Sequence, residues 1–296
     1  MKNAIRMLGV AAGFALASSM AMADSISPET YSATLGIGES VTITKTVVIS
    51  KGSPTSALLD VKFIADTTGS MGGIISTVRN NATTIMNNLS GFGSAEFGVS
   101  EYGDRSDYPS YGYSVNGTKV NTPLTSTVAT AQAGINTWKA NYGGDTPEAN
   151  LTALKEQAEA SDWRAGSNRF IVQFGDAPGH EGGAYPTLSD TITALNDNNV
   201  KVIVVGTSGM DACYSGDCTS NQASTIASAT GGSFNNIYGG TDIAQLIENA
   251  IGDAFATYSN VSLGLVGSSG GVCVSFNPAS YAGSYDRSEA RIFTFY

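Results

Sequence analysis

Asp66, Thr68 and Ser70 stand at alternate positions in the stretch Asp66-Thr67-Thr68-Gly69-Ser70-Met71. One carboxylate and two hydroxyls spaced in this way offer the oxygen ligands that a hard cation such as Mg²⁺ takes. Asp66 brings charge, the hydroxyls bring neutral oxygens, and Gly69 lets the backbone turn tightly between them. The same residues also suit a plain helix start, with Ser70 or Thr68 as N-cap and Asp66 near the positive end of the dipole. Two later stretches bear on that choice. Gly143-Gly144-Asp145-Thr146-Pro147-Glu148 is a second acidic loop behind a glycine pair, and Gly175-Asp176-Ala177-Pro178-Gly179-His180 follows an apolar run. Taken singly, Glu148 could be an early helical acid and Asp176 a turn residue.

The elements around these residues place them at one end of a sheet. Residues 58–65 are a short apolar run bounded by Pro54 and Gly69, which reads as a buried strand. Ile74, Ile75, Val78, Ala82, Ile85, Met86 and Leu89 then fall on one face of a helix. Asp66, Thr68 and Ser70 therefore lie on the loop leaving a strand's carboxyl end, where open α/β sheets bind ligands. Downstream the pattern predicts strands at 95–100, 169–174, 200–205 and 233–238. It predicts helices at 128–140, 188–195, 222–229 and 243–255. A further helix to about residue 160 would have Thr146 or Asp145 as cap and Pro147 in its first turn. Alternation of this kind implies a largely parallel sheet in an α/β fold. Residues 107–120 carry Tyr108, Tyr111 and Tyr113, which read either as an exposed recognition loop or as one face of a strand.

Both ends of the chain read as β-structure. Leu35, Ile37, Val41, Ile43, Val47 and Ile49 alternate with polar residues, with a turn at Gly36 and Gly38-Glu39. Val261, Leu263 and Leu265, then Val272, Val274 and Phe276, then Ile292, Phe293 and Phe295 do the same. Neither end has the apolar surface of a domain on its own. The division expected is a leader at 1–23, a first β part at 24–54, an inserted α/β domain at 55–257 and a second β part at 258–296. The two β parts would join into one small β-sandwich. The final strand, 291–296, stops in mid-pattern.

The motif Asp66-x-Thr68-x-Ser70 resembles the D-x-S/T-x-S signature of von Willebrand factor A domains, and the resemblance covers roughly residues 58–255. It implies a Rossmann-like α/β domain with a metal-ion-dependent adhesion site on its upper face. Mg²⁺ is the first candidate ion there, with Ca²⁺ and Mn²⁺ as alternatives. In motif style the sequence is most similar to the A-like domains of integrin beta subunits. Asp145-Thr146-Pro147-Glu148 resembles their D-S-P-E loop, which implies Glu148 as a ligand of the adhesion-site ion and Asp145 as a ligand of a neighbouring Ca²⁺. In the wider family a Thr takes the first of these roles, which makes Thr146 the competitor of Glu148. Asp176 matches the third acidic element, at the end of the fourth A-domain strand. Gly72 and Gly73 stand where integrins carry two further acids, so no regulatory site is implied there.

Lys2 and Arg6 precede an apolar stretch from Met7 to about Ala17, and Ala21-Met22-Ala23 completes the pattern of a cleavable secretory leader. The stretch is shorter than the ~20 residues needed to span a bilayer. The expected product is a secreted or cell-surface bacterial protein beginning at Asp24, with no membrane insertion. In an oxidising compartment Cys213 and Cys218, which flank a short turn, are expected to form a disulfide, with Cys273 left over. A net charge of -10 argues against nucleic acid as a partner.

The leading functional expectation is adhesion: a divalent ion with an open position engages an acidic residue of a partner protein. A structural matrix component with a fold-stabilising ion is the alternative. Catalysis ranks below both. Residues 66–70 resemble a phosphatase D-x-D-G-T/S loop only faintly, since Thr68 replaces the second Asp, and His180 is the only histidine available to a metal-dependent hydrolase.

Overall fold

The computed structural model describes residues 24–55, 57–105, 112–141, 143–237, 239, 241–265 and 272–296. The chain order is β1 (Ser25–Ser27), β2 (Lys45–Ile49), β3 (Ala57–Asp66), α1 (Gly72–Leu89), β4 (Gly93–Tyr102), β5 (Thr118–Thr125), α2 (Val128–Ile135) and α3 (Asn150–Ala158). It continues with β6 (Asn168–Gly175), α4 (Leu188–Asp197), β7 (Val200–Gly206), α5 (Gln222–Thr230), β8 (Ser233–Asn236), α6 (Ile243–Phe255), β9 (Thr257–Ser262), β10 (Ser280–Asp286) and β11 (Arg291–Phe295).

Six strands form one sheet in the order β5-β4-β3-β6-β7-β8. Every pairing is parallel except β4 with β5. The α/β character follows from the run of β3, which is buried on both faces. Leu59, Val61, Phe63 and Ala65 point into a core shared with α1, α2 and α6. Ile64 joins the opposite core, made with α3, α4 and α5. On that second face β3 also carries Asp60 and Lys62, both buried. The loop after α3 answers them. Asp60 accepts from the Arg164 backbone N–H at 2.8 Å and pairs with its guanidinium, and Lys62 Nζ reaches Asp162 at 2.5 Å and lies over the Trp163 ring. Burial holds the Lys62 ammonium below its usual pKa, and the Asp162 carboxylate opposes that shift.

The helix predicted to begin at Pro147 instead begins at Asn150, with Ala149 as its N-cap. Residues 145–148 are held outside it by bonds to neighbouring loops, so neither Thr146 nor Asp145 caps it. The helix expected at 128–140 ends at Ile135, and Trp138 packs into the core beyond its end. Strand β5 covers residues to which the sequence analysis assigns no separate strand; it carries Pro123 at the sheet edge, where the missing N–H costs little. Tyr113 is neither exposed nor on a strand. It is buried, and its hydroxyl bonds to Thr67 Oγ1. Tyr108 and Tyr111 lie outside the described residues.

The flanks also depart from their apolar pattern. The turn at Gly36–Glu39 is present, with Gly38 at φ +85°, but residues 31–44 form no strand and Ile37 is fully exposed. Residues 272–276 likewise form no strand, and Val272 and Val274 are exposed. Alternation marks a face but supplies no neighbouring strand for the backbone N–H and C=O groups. The alternating stretches around Val47 and Ile49, Val261, and Ile292 to Phe295 do form strands, joined by the Ser-containing β1 and β10. β2 pairs antiparallel with β1 on one side and with β11 on the other, and β9 pairs with β10. Segments from the two ends of the chain thus share a sheet. Between the two small sheets lies an aromatic cluster in which Phe293 meets Tyr258, Tyr281 and Tyr285, and Tyr281 meets Phe295.

Asp24 ties these ends together. Its carboxylate takes both terminal nitrogens of Arg287, at 2.9 and 2.7 Å, and the backbone N–H and hydroxyl of Ser50, both at 2.8 Å. Partial burial alone would raise the Asp24 pKa, but the bonds from Arg287 and Ser50 outweigh it and hold the group below its usual value. A carboxyl whose pKa is depressed by folding contributes stability above its unfolded pKa, about 4, and that stability is lost as pH falls through the folded value. Hydrogen-exchange protection of β1 and β2, taken relative to the intrinsic exchange rate at each pH, should therefore fall between about pH 5 and 3. The Arg287→Ala variant should show fast exchange already at pH 7; slow exchange there would disprove the clamp.

Candidate metal centre

The parallel register brings the predicted acids together. Ala65 pairs with Phe174, so Asp66 at the end of β3 lies beside Gly175, and Asp176 follows immediately. On the other side Asp66 pairs with Tyr102 at the end of β4. The chain leaves β3 toward β4 on one side and returns to β6 on the other, which makes this crevice the topological switch point of the sheet.

Asp66 and Thr68 are both buried. Asp66 Oδ1 accepts from the Thr68 backbone N–H at 2.8 Å and from Thr68 Oγ1 at 2.7 Å. Ser70 lies in the short 3₁₀ turn Gly69–Met71 and is exposed. The loop at 143–149 closes over these residues. Asn141 N–H donates to Thr67 O, Ala149 N–H to Gly103 O and Glu148 N–H to Pro178 O, while His180 N–H donates back to Glu148 O. A short parallel bridge between Glu148 and Gly179 results. Glu148 is buried, whereas Thr146 and Asp145 are exposed. Gly143, at φ +91°, packs against both sides of the cleft: a Cβ there would sit 2.8 Å from Thr68 Cβ and 3.3 Å from Glu148 Oε1.

Tyr102 reports the charge of this place. It is fully buried, and its hydroxyl is pushed well above its ordinary pKa, first by burial and then by the charges of Asp66, Glu148 and Asp176. A neutral phenol thus abuts three acids. This donor set fits a divalent cation: clustered carboxylates and hydroxyls, mostly buried, at the end of a sheet.

A second cluster lies alongside. Asp145 belongs with Asp104 and His180, and one ligand atom from each lies within 4.8 Å of the other two. His180 Nε2 is 3.6 Å from Asp145 Oδ1 and 4.0 Å from Asp104 Oδ1. Its other nitrogen, Nδ1, bonds to Asp217 Oδ2 at 2.8 Å, and its ring stacks on Tyr185 with centroids 4.6 Å apart. Tyr185 donates its hydroxyl to Asp104 Oδ1 at 2.7 Å. Burial, the bond to Asp104 and the charge of Asp104 raise the Tyr185 pKa. Burial and then the shared hydrogen bond with Asp104 raise that of Asp145 as well. Asp217 sits in the loop closed by the Cys213–Cys218 disulfide, and Cys273 is a free, exposed thiol.

The sequence reading thus finds Asp66, Thr68, Glu148 and Asp176 gathered at one cleft, and Asp145 drawn to a neighbouring one. It missed Tyr102, Asp104, Tyr185 and Asp217. Asp104 carried a usable signal, since it stands just past the carboxyl end of β4, as Asp176 does past β6. Asp217 carried none beyond its place between two cysteines.

The von Willebrand factor type A domain model matches residues 60–271, well over half of the chain. The chain belongs to the von Willebrand factor type A domain family. No curated protein matches it. A von Willebrand factor type A structure from Catenulispora acidiphila is 16% identical with a TM-score of 0.51, the match covering 86% of this chain and 60% of that one. The conserved hypothetical protein BatB from Bacteroides thetaiotaomicron is also 16% identical, with a TM-score of 0.47, over 66% of this chain and 98% of that one. The pilus adhesin SpaC from Lactobacillus rhamnosus GG is 12% identical, with a TM-score of 0.44, over 73% of this chain and 34% of its own. Domains of this family commonly mediate protein–protein interaction and often bind a divalent cation. No helix among the described residues is long and apolar enough to cross a membrane.

Gly143→Ala tests the packing of the cleft. The substitution forces a side chain into the left-handed region and against Thr68, at a cost of about 1–3 kcal/mol. Chemical denaturation in the absence of added metal should show that loss; wild-type stability would contradict the geometry.

Proposed function

We propose that this von Willebrand A domain is a secreted, metal-dependent adhesion module. Asp66, Thr68 and Ser70, with Asp176 and Glu148, would hold a divalent cation, Mg²⁺ first and Ca²⁺ or Mn²⁺ as alternatives. Bound there, the ion supplies positive charge and an open position for an acidic residue of a partner protein. The observation that carries this reading is the parallel register that sets Asp66 beside Gly175 and the following Asp176, with the loop of the buried Glu148 hydrogen-bonded onto the same edge of the sheet. Between Glu148 and Thr146, the buried side chain against Gly143 favours Glu148 as ligand. The chain's own groups do the remaining work. The Thr68 N–H and hydroxyl orient the Asp66 carboxylate, and the bonds from Glu148 to Pro178 and His180 fix one acidic loop against the other.

The two flanking β parts, 24–54 and 258–296, form one small unit into which the A domain is inserted. The pairing of β2 with β11 and the aromatic cluster support that reading. An exported location fits the leader pattern at 1–23 and the disulfide.

Calorimetry with Mg²⁺, Ca²⁺ and Mn²⁺ on wild type and Asp66→Ala tests the site. Removing the central carboxylate should weaken binding at least 100-fold, since about 2.7 kcal/mol or more of charge compensation is lost. Equal affinity in both proteins would rule the site out. Cation binding without capture of acidic peptides at millimolar Mg²⁺ would leave the ion as a structural element and refute adhesion.

A further inference from the structure

The exposed apolar surface of this protein is concentrated in its β parts. Among the described residues, eight of the eleven large apolar side chains that stand in solvent belong to 24–54 and 258–296. Five of them, Leu265, Val272, Val274, Ile292 and Tyr296, come from the second part. Charge divides the other way. Residues 55–257 carry twenty acids and nine bases, a net charge of -11, whereas the two β parts together carry five acids and four bases, a net charge of -1. Two copies that met through their A domains would repel each other, and two that met through their β parts would not.

The backbone beside β11 is open as well. Asn277 and Tyr296 exchange two hydrogen bonds, at 2.9 and 2.8 Å, which make one rung of an antiparallel ladder. The ladder stops there. Residues 272–276 lead up to that rung without forming a strand, and among the described residues no other backbone bond ties them to a neighbouring segment. Val272, Val274 and Phe276 alternate along the stretch, and residues 272–275 are exposed. Unpaired N–H and C=O groups beside alternating apolar residues are a template for a further strand.

We propose that 272–276 is a self-association strand, through which two copies of this chain pair antiparallel about a twofold axis. The segment is self-complementary. With the axis at residue 273, each Val272 lies opposite the second copy's Val274, and the two exposed Cys273 thiols face each other. Residues directly opposite in an antiparallel pair stand about 4.5–5.5 Å apart between Cα atoms, within the span of a disulfide. Five residues a side bury too little for a stable dimer, since stable interfaces use roughly 20–30 a side. The pairing is therefore weak until the thiols lock it. That step needs an oxidant, a small-molecule disulfide such as oxidised glutathione. One Cys273 thiolate attacks it and expels a glutathione thiolate. The second copy's Cys273 thiolate then attacks the chain sulfur of the mixed disulfide and expels the other, so one disulfide is reduced for each one formed. A dimer carries two Asp66 centres and would grip a repetitive ligand at two points, but the pairing does not depend on those centres.

The test is oxidation of the full chain at micromolar concentration in a glutathione redox buffer, followed by light scattering and by mass spectrometry of unreduced peptides. The expected product is a covalent dimer joined Cys273 to Cys273, with the Cys213–Cys218 disulfide intact, that returns to monomer on reduction. Cys273→Ser should stay monomeric at the same concentration. Moving the thiol two places, as Ser275→Cys in the Cys273→Ser background, should slow cross-linking by about 10-fold or more, because position 275 lies away from the axis. Val274→Asp, at an exposed position outside every strand, should slow it by a similar factor with the circular dichroism unchanged, since an acid then replaces each apolar contact beside the axis. A chain that stays monomeric in the oxidising buffer would overturn the proposal. So would a dimer joined through Cys213 or Cys218, or cross-linking as fast in the Ser275→Cys or Val274→Asp variant as in wild type.

Discussion

Like-charge repulsion at the carboxyl edge of the sheet is the constraint that the upper half of the molecule has to satisfy. Parallel pairing forces it. Once β3 lies between β4 and β6 in the observed register, Asp66 and Asp176 must be neighbours, and the loop carrying Glu148 is hydrogen-bonded onto the same place. Burying carboxylates costs several kcal/mol each unless hydrogen bonds or charge compensate them. The surroundings supply part of that compensation. Thr68 donates twice to Asp66, and Tyr102 stays protonated beneath all three acids.

The opposite end of β3 shows the same problem solved within the chain. Asp60 and Lys62 are as deeply buried as Asp66, but each meets a partner of opposite charge from the loop after α3. Breaking such a pair leaves an uncompensated buried charge. One strand thus has a closed ionic end and an end built of acids, hydroxyls and glycine. The contrast argues that the acids at the upper end answer to something other than stability alone.

The middle of the chain was legible because its signals were redundant. Buried parallel strands read as continuous apolar runs, helices carried one apolar face, and the two patterns alternated from residue 57 to 255 except where β5 follows β4 and α3 follows α2. Asp66, Glu148 and Asp176 could be placed because each follows a strand or opens toward a helix. The errors have a common origin in polar contacts between distant segments. Nothing local in Asp145-Thr146-Pro147 distinguishes a helix N-terminus from a loop pinned by Pro178 and Gly103. Tyr113 is buried with its hydroxyl bonded to Thr67 Oγ1, 46 residues earlier in the chain. In the flanks alternation located β2, β9 and β11, but β1 and β10 are Ser-rich and escaped it, and the apolar 31–43 stretch found no neighbouring strand.

The histidine cluster shows why long-range polar geometry matters more than motif at this site. His180 and Asp176 are separated by one short turn, and sequence alone would assign both to one centre. In the fold, His180 is turned away by Asp217 and by stacking on Tyr185, and Asp145 goes with it rather than with Glu148. The Glu148–His180 backbone bond keeps the two clusters in contact while their side chains serve different places. Any movement of the 143–149 loop therefore has to move Glu148 and Asp145 together. The disulfide-closed loop lies behind His180, bonded to its ring through Asp217 and to the Glu181 N–H through the Asp217 carbonyl.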